Sequence, residues 1–120
     1  VVYGQDGLDE ISMSAPTTVC EVKDGEFLSY VITPEQFGFT RCSKDELTGG
    51  SPQDNAQIAL AILKGEKGPK RDAVVLNSAA AIHIAKGISI EDAIREAQEV
   101  IDSGKALAQL EQFAALTNQE

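Results

Sequence analysis

Two runs rich in β-branched and aromatic residues, residues 17–23 and 26–33, are separated by nothing but Asp24-Gly25. Asp-Gly supplies the positive φ that both central positions of a type I′ turn require, so the two runs are expected to pair as a β-hairpin. Pro34 ends the second run, because it has no N–H to give to a strand ladder. Residues 34–37 read as one helical turn, and residues 38–50 carry no regular pattern. Ahead of the hairpin, residues 1–4 read as the end of a short strand. Gln5-Asp6-Gly7 then signals a turn, since Gly7 takes a positive φ at little cost.

From Ser51 onward the pattern is helical. Ser51 caps a helix that has Pro52 at its first position, where a missing N–H costs nothing, and Gly65 stops it. Gly68-Pro69 opens a second helix, which ends at Gly87. Its segments 73–76 and 79–82 are apolar on every side, so burial on all sides is expected. Ser89 caps a third helix with Asp92 three residues on, at the spacing of a capping box. Ile90, Ala93, Ile94, Ala97, Val100 and Ile101 trace one face of it. After Ser103-Gly104, a fourth helix carries Leu107, Leu110, Phe113 and Ala114 on one face. Strands come first and helices follow, within a single domain of 120 residues.

Ten basic against 19 acidic residues leave a net charge of −9. Nucleic-acid binding is not expected from such a balance, because phosphate contacts need a basic patch. The densest basic stretch, residues 64–71, has Glu66 inside it and Asp72 directly after it. No apolar run approaches the ~20 residues needed to cross a bilayer, so no membrane role is expected. Cys20 and Cys42 are too few for a disulfide framework and read as small thiols of a cytoplasmic protein. The first residue is Val1, not Met, and the chain opens on an apolar pair. The expectation is that these residues are a piece of a longer protein.

Few residues stand out as chemistry. Asp9-Glu10 follows the Gly7 turn just beyond a strand, where α/β folds favour ligand sites. Two hard carboxylates on a short loop suit Mg²⁺; two solvated charges at a helix start are the alternative, and spacing alone leaves both open. Gly49-Gly50 before the Ser51 cap reads as a turn and cap, though an anion cradle has the same ingredients. His83, the only histidine, reads as a helix-flank or core residue. Asn77, within the most apolar helix, must hydrogen-bond something, and the backbone of a neighbouring loop is the expected partner. Glu91, Glu96 and Glu99 read as a solvated helix face. Cys20 has no basic neighbour to activate it.

The stretch VVYGQDGLDEIS, residues 1–12, closely resembles the V-V-H-G-x-D-G-L-D-E signature of the anthranilate phosphoribosyltransferases. Residues 49–82, GGSPQDNAQIALAILKGEKGPKRDAVVLNSAAAI, and residues 89–107, SIEDAIREAQEVIDSGKAL, resemble later segments of that family in the same order. The one departure in the signature is Tyr3 where the family often has His. The resemblance implies the C-terminal portion of a large α/β domain: strands of a mixed sheet with a β-hairpin, followed by about four packed helices. It further implies that a helical N-terminal domain and the loop that cradles diphosphate precede residues 1–120 in a parent enzyme. That enzyme would transfer the 5-phosphoribosyl group of phosphoribosyl diphosphate to anthranilate, in tryptophan synthesis, usually as a homodimer. By the same resemblance Asp9 and Glu10 hold Mg²⁺, no role carries over to Asn77, His83 or Gly49-Gly50, and the chain is inert alone. Two other readings stand beside it. One is a pyrimidine nucleoside phosphorylase or a nucleic-acid-binding paralogue on the same fold; the other is a free-standing interaction module.

Overall fold

The structure is a computed structural model that describes residues 1–118. β1 (Val2–Gly4), β2 (Thr17–Lys23) and β3 (Glu26–Ile32) form one sheet in that order. Both pairings are antiparallel, with Val2 opposite Val19 and Thr17 opposite Ile32. The three strands are thus antiparallel throughout rather than mixed, because each is joined to the next by a direct return of the chain and not by a crossover helix. Asp24 and Gly25 take φ of 52° and 79°, as the expected hairpin turn demands.

Two short 3₁₀ turns follow, Pro34–Phe37 and Lys44–Leu47. The first was legible in the sequence. The second falls inside the stretch expected to be irregular. It forms because Ser43 and Glu46 build a capping box, Glu46 Oε2 accepting from Ser43 N at 2.8 Å and from Ser43 Oγ at 3.0 Å.

The helices are α1 (Pro52–Leu63), α2 (Pro69–Lys86), α3 (Ile90–Asp102) and α4 (Lys105–Thr117). Ser51 Oγ accepts from Asp54 N at 3.2 Å, and Ser89 Oγ accepts from Asp92 N at 3.1 Å, so both expected caps form. The core lies where α2 and α3 meet the inner face of the sheet. Val19 and Ile32 enter it from the strands, Val75, Leu76 and Ala79 from α2, and Ala93, Ala97 and Ile101 from α3. Alanines at the helix crossing let the backbones approach, and the larger residues fill the layer against the sheet. Arg71, only 3% exposed, crosses from α2 to the end of α3. Its Nη2 donates to Asp102 Oδ2 at 3.0 Å; Nη1 lies 2.8 Å from Oδ1 but off the hydrogen-bond line.

Two burial expectations fail. α2 is not buried on all sides: Val74 and Ile84 are 39% and 66% exposed. Ser78 and Ala81, on the same stripe, are exposed as well. The sheet and α3 cover only the opposite side of that helix. α4 buries no residue, and Phe113 is 62% exposed on the face expected to pack. It touches the body through its first turns, where Ala106 and Leu107 are half-buried. Among the described residues no single helix is long and apolar enough to cross a membrane.

Candidate functional site

β1 ends at Gly4 and β2 begins at Thr17, so the connection between them leaves the sheet at the carboxyl end of β1. Its first turn is tight. Gly4 N donates to Leu8 O at 2.8 Å, Gly7 N donates to Gly4 O at 2.9 Å, and Gly7 takes φ of 90°. Gly4 is buried, and an added Cβ there would stand 2.6 Å from Asp6 Oδ1 and 2.9 Å from Ser12 Cβ. Only glycine fits.

Asp9 and Glu10 are exposed beyond this turn. No helix begins at them, so the picture of two charges in a first helical turn does not apply. Neither takes part in any ion pair formed among the described residues. Their loop is nonetheless held from two sides. Behind it, the Asp6 carboxylate accepts from the hydroxyls of Ser12, at 3.1 Å, and Ser14. These bonds, that from Ser14 above all, hold the Asp6 carboxyl below the usual carboxylate range against the opposing effect of burial. Lys44 Nζ donates to Asp6 O at 2.8 Å, and Ser12 N donates to Thr17 Oγ1 at 2.9 Å. The Oδ1 atom of Asp6 is buried with no partner among the described residues.

Ahead of the loop stands Asn77. Its Oδ1 accepts from Ile11 N at 2.9 Å, and its Nδ2 donates to Ile11 O and to Ala73 O, each at 2.9 Å. The expected partner class, a neighbouring loop's backbone, is the one found. Ile11 follows Glu10 directly, and its side chain is sunk in the core. Glu10, Ile11 and Asn77 together form one wall of a cleft of about 680 Å³, whose other walls are Ile58 and Ile62 of α1 and Ala73 and Val74 of α2. The cleft is mostly apolar, with Glu10 and Lys70 as its charged residues.

The other residues singled out serve structure. Gly50 N donates to Asn55 Oδ1 at 2.9 Å, and the space beside Gly49 is filled by the same Asn55 amide, so helix α1 itself occupies what an anion cradle would leave open. His83 is far from the carboxylate pair in role: its Nδ1 lies 2.5 Å from Ile88 O and its Nε2 3.4 Å from Glu21 Oε1, which fastens α2 to β2 and to the turn before α3. Cys20 and Cys42 are free and half-buried, and burial pushes the Cys42 thiol up, away from reactivity. Glu91 and Glu99 are solvated, whereas Glu96 pairs with Lys86. No cluster of three or more His, Cys, Asp or Glu side chains suited to a metal occurs among the described residues. Sequence reasoning missed Asp6, Ser12 and Ser14 as braces of the loop. The short spacing of three polar side chains around Asp9-Glu10 was the only signal.

The family described as "Glycosyl transferase family, a/b domain" matches residues 1–107. The anthranilate phosphoribosyltransferase of Methanobrevibacter smithii is 62% identical over 118 residues, which are 98% of this chain and 35% of that protein. That of Lachnoclostridium phytofermentans is 52% identical over 119 residues, again 98% of this chain and 35% of that protein. The chain therefore spans about a third of the length of these relatives. The crystal structure of anthranilate phosphoribosyltransferase from Thermus thermophilus superimposes with a TM-score of 0.86 at 39% identity, over 96% of this chain and 34% of that one. The Saccharomyces cerevisiae enzyme in complex with PRPP and Mg does so with a TM-score of 0.84 at 29% identity, over 93% and 33%.

Proposed function

Since this chain belongs to the anthranilate phosphoribosyltransferase family, we propose that it is the C-terminal part of an enzyme that moves the 5-phosphoribosyl group from phosphoribosyl diphosphate to the amine of anthranilate, releasing diphosphate. Its share of that work is to hold Mg²⁺ through Asp9 and Glu10. The observation that carries this reading is the exposed pair, free of ion pairs among the described residues, on a loop braced from both sides at the carboxyl end of β1.

The donor chemistry fits. Mg²⁺ favours hard oxygen ligands and commonly takes one or two carboxylates, leaving its other positions to water and phosphate. Two carboxylates suit such a shared site, in which substrate phosphates supply further oxygens. The amine of anthranilate is a weak nucleophile, so stabilising the leaving diphosphate matters most. When bound, Mg²⁺ supplies Lewis-acid charge neutralisation and a template for that diphosphate. Asp9 and Glu10 bind and orient the ion; without it their own charge would repel the substrate. The brace from Asp6 and the contact with Asn77 hold the loop so that Glu10 lines an apolar cleft with Asp9 next to it in sequence.

On this reading the diphosphate-cradling loop and the anthranilate pocket belong to the other two-thirds of a relative's length, and phosphoribosyl transfer by the 120 residues alone is not expected. A calorimetric titration of Mg²⁺ and phosphoribosyl diphosphate into the chain, beside an Asp9→Asn, Glu10→Gln double variant, tests the pair. Binding by the chain and none by the variant is the expected result. Equal, measurable binding by the two would remove the pair from the reaction; no binding by either would mean that the carboxylates need the diphosphate loop to make a site.

A further inference from the structure

We propose that Asn77 is a positioning residue for the metal-binding carboxylates, acting through the backbone of Ile11. This rests on the reading of Asp9 and Glu10 as a metal pair. Asn77 engages both the N–H and the C=O of Ile11, as a neighbouring strand would, and its Nδ2 also donates to Ala73 O one turn earlier in α2. Three bonds fix the side-chain amide on a rigid helix. The peptide between Glu10 and Ile11 is planar, so holding Ile11 N sets the orientation of the Glu10 carbonyl and limits where the Glu10 side chain starts. The Ile11 side chain, 3% exposed, anchors the same residue in the core. On the other side of the pair, Asp6 ties its own end of the loop to Ser12 and Ser14. Asp9 and Glu10 thus sit between two fixed points a few residues apart. A pair held this way loses little conformational freedom when it captures a cation, and a loosened pair must lose more. A structural tie of the loop to α2 needs one hydrogen bond, and Asn77 makes two to a single residue beside the carboxylates.

The test uses the 120-residue chain with Mn²⁺ as the probe, followed by its effect on water-proton relaxation. Asn77→Asp keeps the volume and the acceptor for Ile11 N but loses both donated bonds; Asn77→Ala loses all three. Ile101→Ala, in α3, serves as a variant that destabilises the core without changing a residue of the loop or a hydrogen bond to it. Outer partners of metal ligands typically change affinity by about tenfold or more, and a fall of that size is expected for Asn77→Asp. In the metal-free protein, NMR relaxation of the Asp9 and Glu10 amides should show greater motion in the same variant. Ile101→Ala should bind Mn²⁺ as the unaltered chain does, despite a lower Tm. Unchanged amide motion with Mn²⁺ binding within about twofold of the unaltered chain overturns the role given to Asn77 and leaves the metal pair standing. Equal loss in Ile101→Ala also overturns it, since stability alone would then set affinity. Mn²⁺ uptake by the unaltered chain no better than by Asp9→Asn, Glu10→Gln overturns the metal reading itself. Should Asn77→Ala not fold, Asn77→Asp alone decides.

Discussion

Gly4→Ala is the sharpest steric test of the loop. The new methyl carbon would lie 2.6 Å from Asp6 Oδ1, 2.9 Å from Ser12 Cβ and 3.3 Å from Leu8 Cβ. Unstrained carbon contacts sit near 3.5–4.0 Å, so something must move. The Asp6 carboxylate is the end of a side chain, yet Ser12 and Ser14 hold it. The other two atoms are β-carbons, one bond from the backbone, and move only if the loop moves. Overpacking of this kind costs about 1–3 kcal/mol. Removing a glycine returns about 0.4–1 kcal/mol by narrowing the unfolded ensemble. The net is a destabilisation of about 1–2 kcal/mol, which for a domain of this size is a drop in Tm of roughly 4–12 °C. Thermal unfolding followed by circular dichroism measures the drop. Mn²⁺ uptake measured alongside should fall as well, because residues 8–12 shift with the turn. A Gly4→Ala chain as stable as the unaltered one, with full metal uptake, would show that the turn is loose and that its close packing is no constraint on Asp9 and Glu10.

Three further outcomes follow from other parts of the molecule. Asp9→Asn with Glu10→Gln should leave stability within about 0.5 kcal/mol, since both side chains are exposed and unpaired, while abolishing divalent-cation binding; chemical denaturation reads the first and calorimetry the second. The Arg71 guanidinium first, with Lys67 beside it, holds the Asp102 carboxyl below its ordinary value of 3.8. A depressed folded value means the unfolded chain takes up the proton first. The pair therefore stabilises above pH 3.8 and its contribution is lost as pH falls below it, so Asp102→Asn should lower Tm at neutral pH and flatten the acid side of the Tm-against-pH curve. Gly25→Ala places a side chain at φ of 79° and should cost about 1–2 kcal/mol, read as a lower midpoint in urea.

Local chemistry was legible in the sequence and tertiary cover was not. The Asp24-Gly25 turn, the Ser51-Pro52 and Ser89 caps and the stop at Gly87 depend on residues within a few positions of one another, and all four lie where the sequence puts them. The Lys44–Leu47 turn was equally local, and Ser43 with Glu46 three residues later was its signal. The open stripe through Val74 and Ile84 was hidden because composition says that a helix wants cover and not what provides it. The carboxylate pair stood out by residue type and by family likeness, whereas its supports did not. That Asn77 must bond a backbone group was deducible from its surroundings. That the group belongs to Ile11 was not, because nothing along the chain links positions 66 residues apart.

That separation also sets when the loop takes shape. The hairpin closes over two residues and can form within microseconds of its strands meeting. The Asn77–Ile11 contact closes 66 residues and gains nothing until the chain between has collapsed. On a ribosome, Asp9 and Glu10 emerge long before α2 does, and until then only the local brace from Asp6, Ser12 and Ser14 can hold their loop. The carboxylates acquire the Asn77 half of their support in a late step, when α2 docks on the sheet. Mutations that slow the docking of α2 should therefore delay cation binding during refolding without delaying the appearance of strand structure.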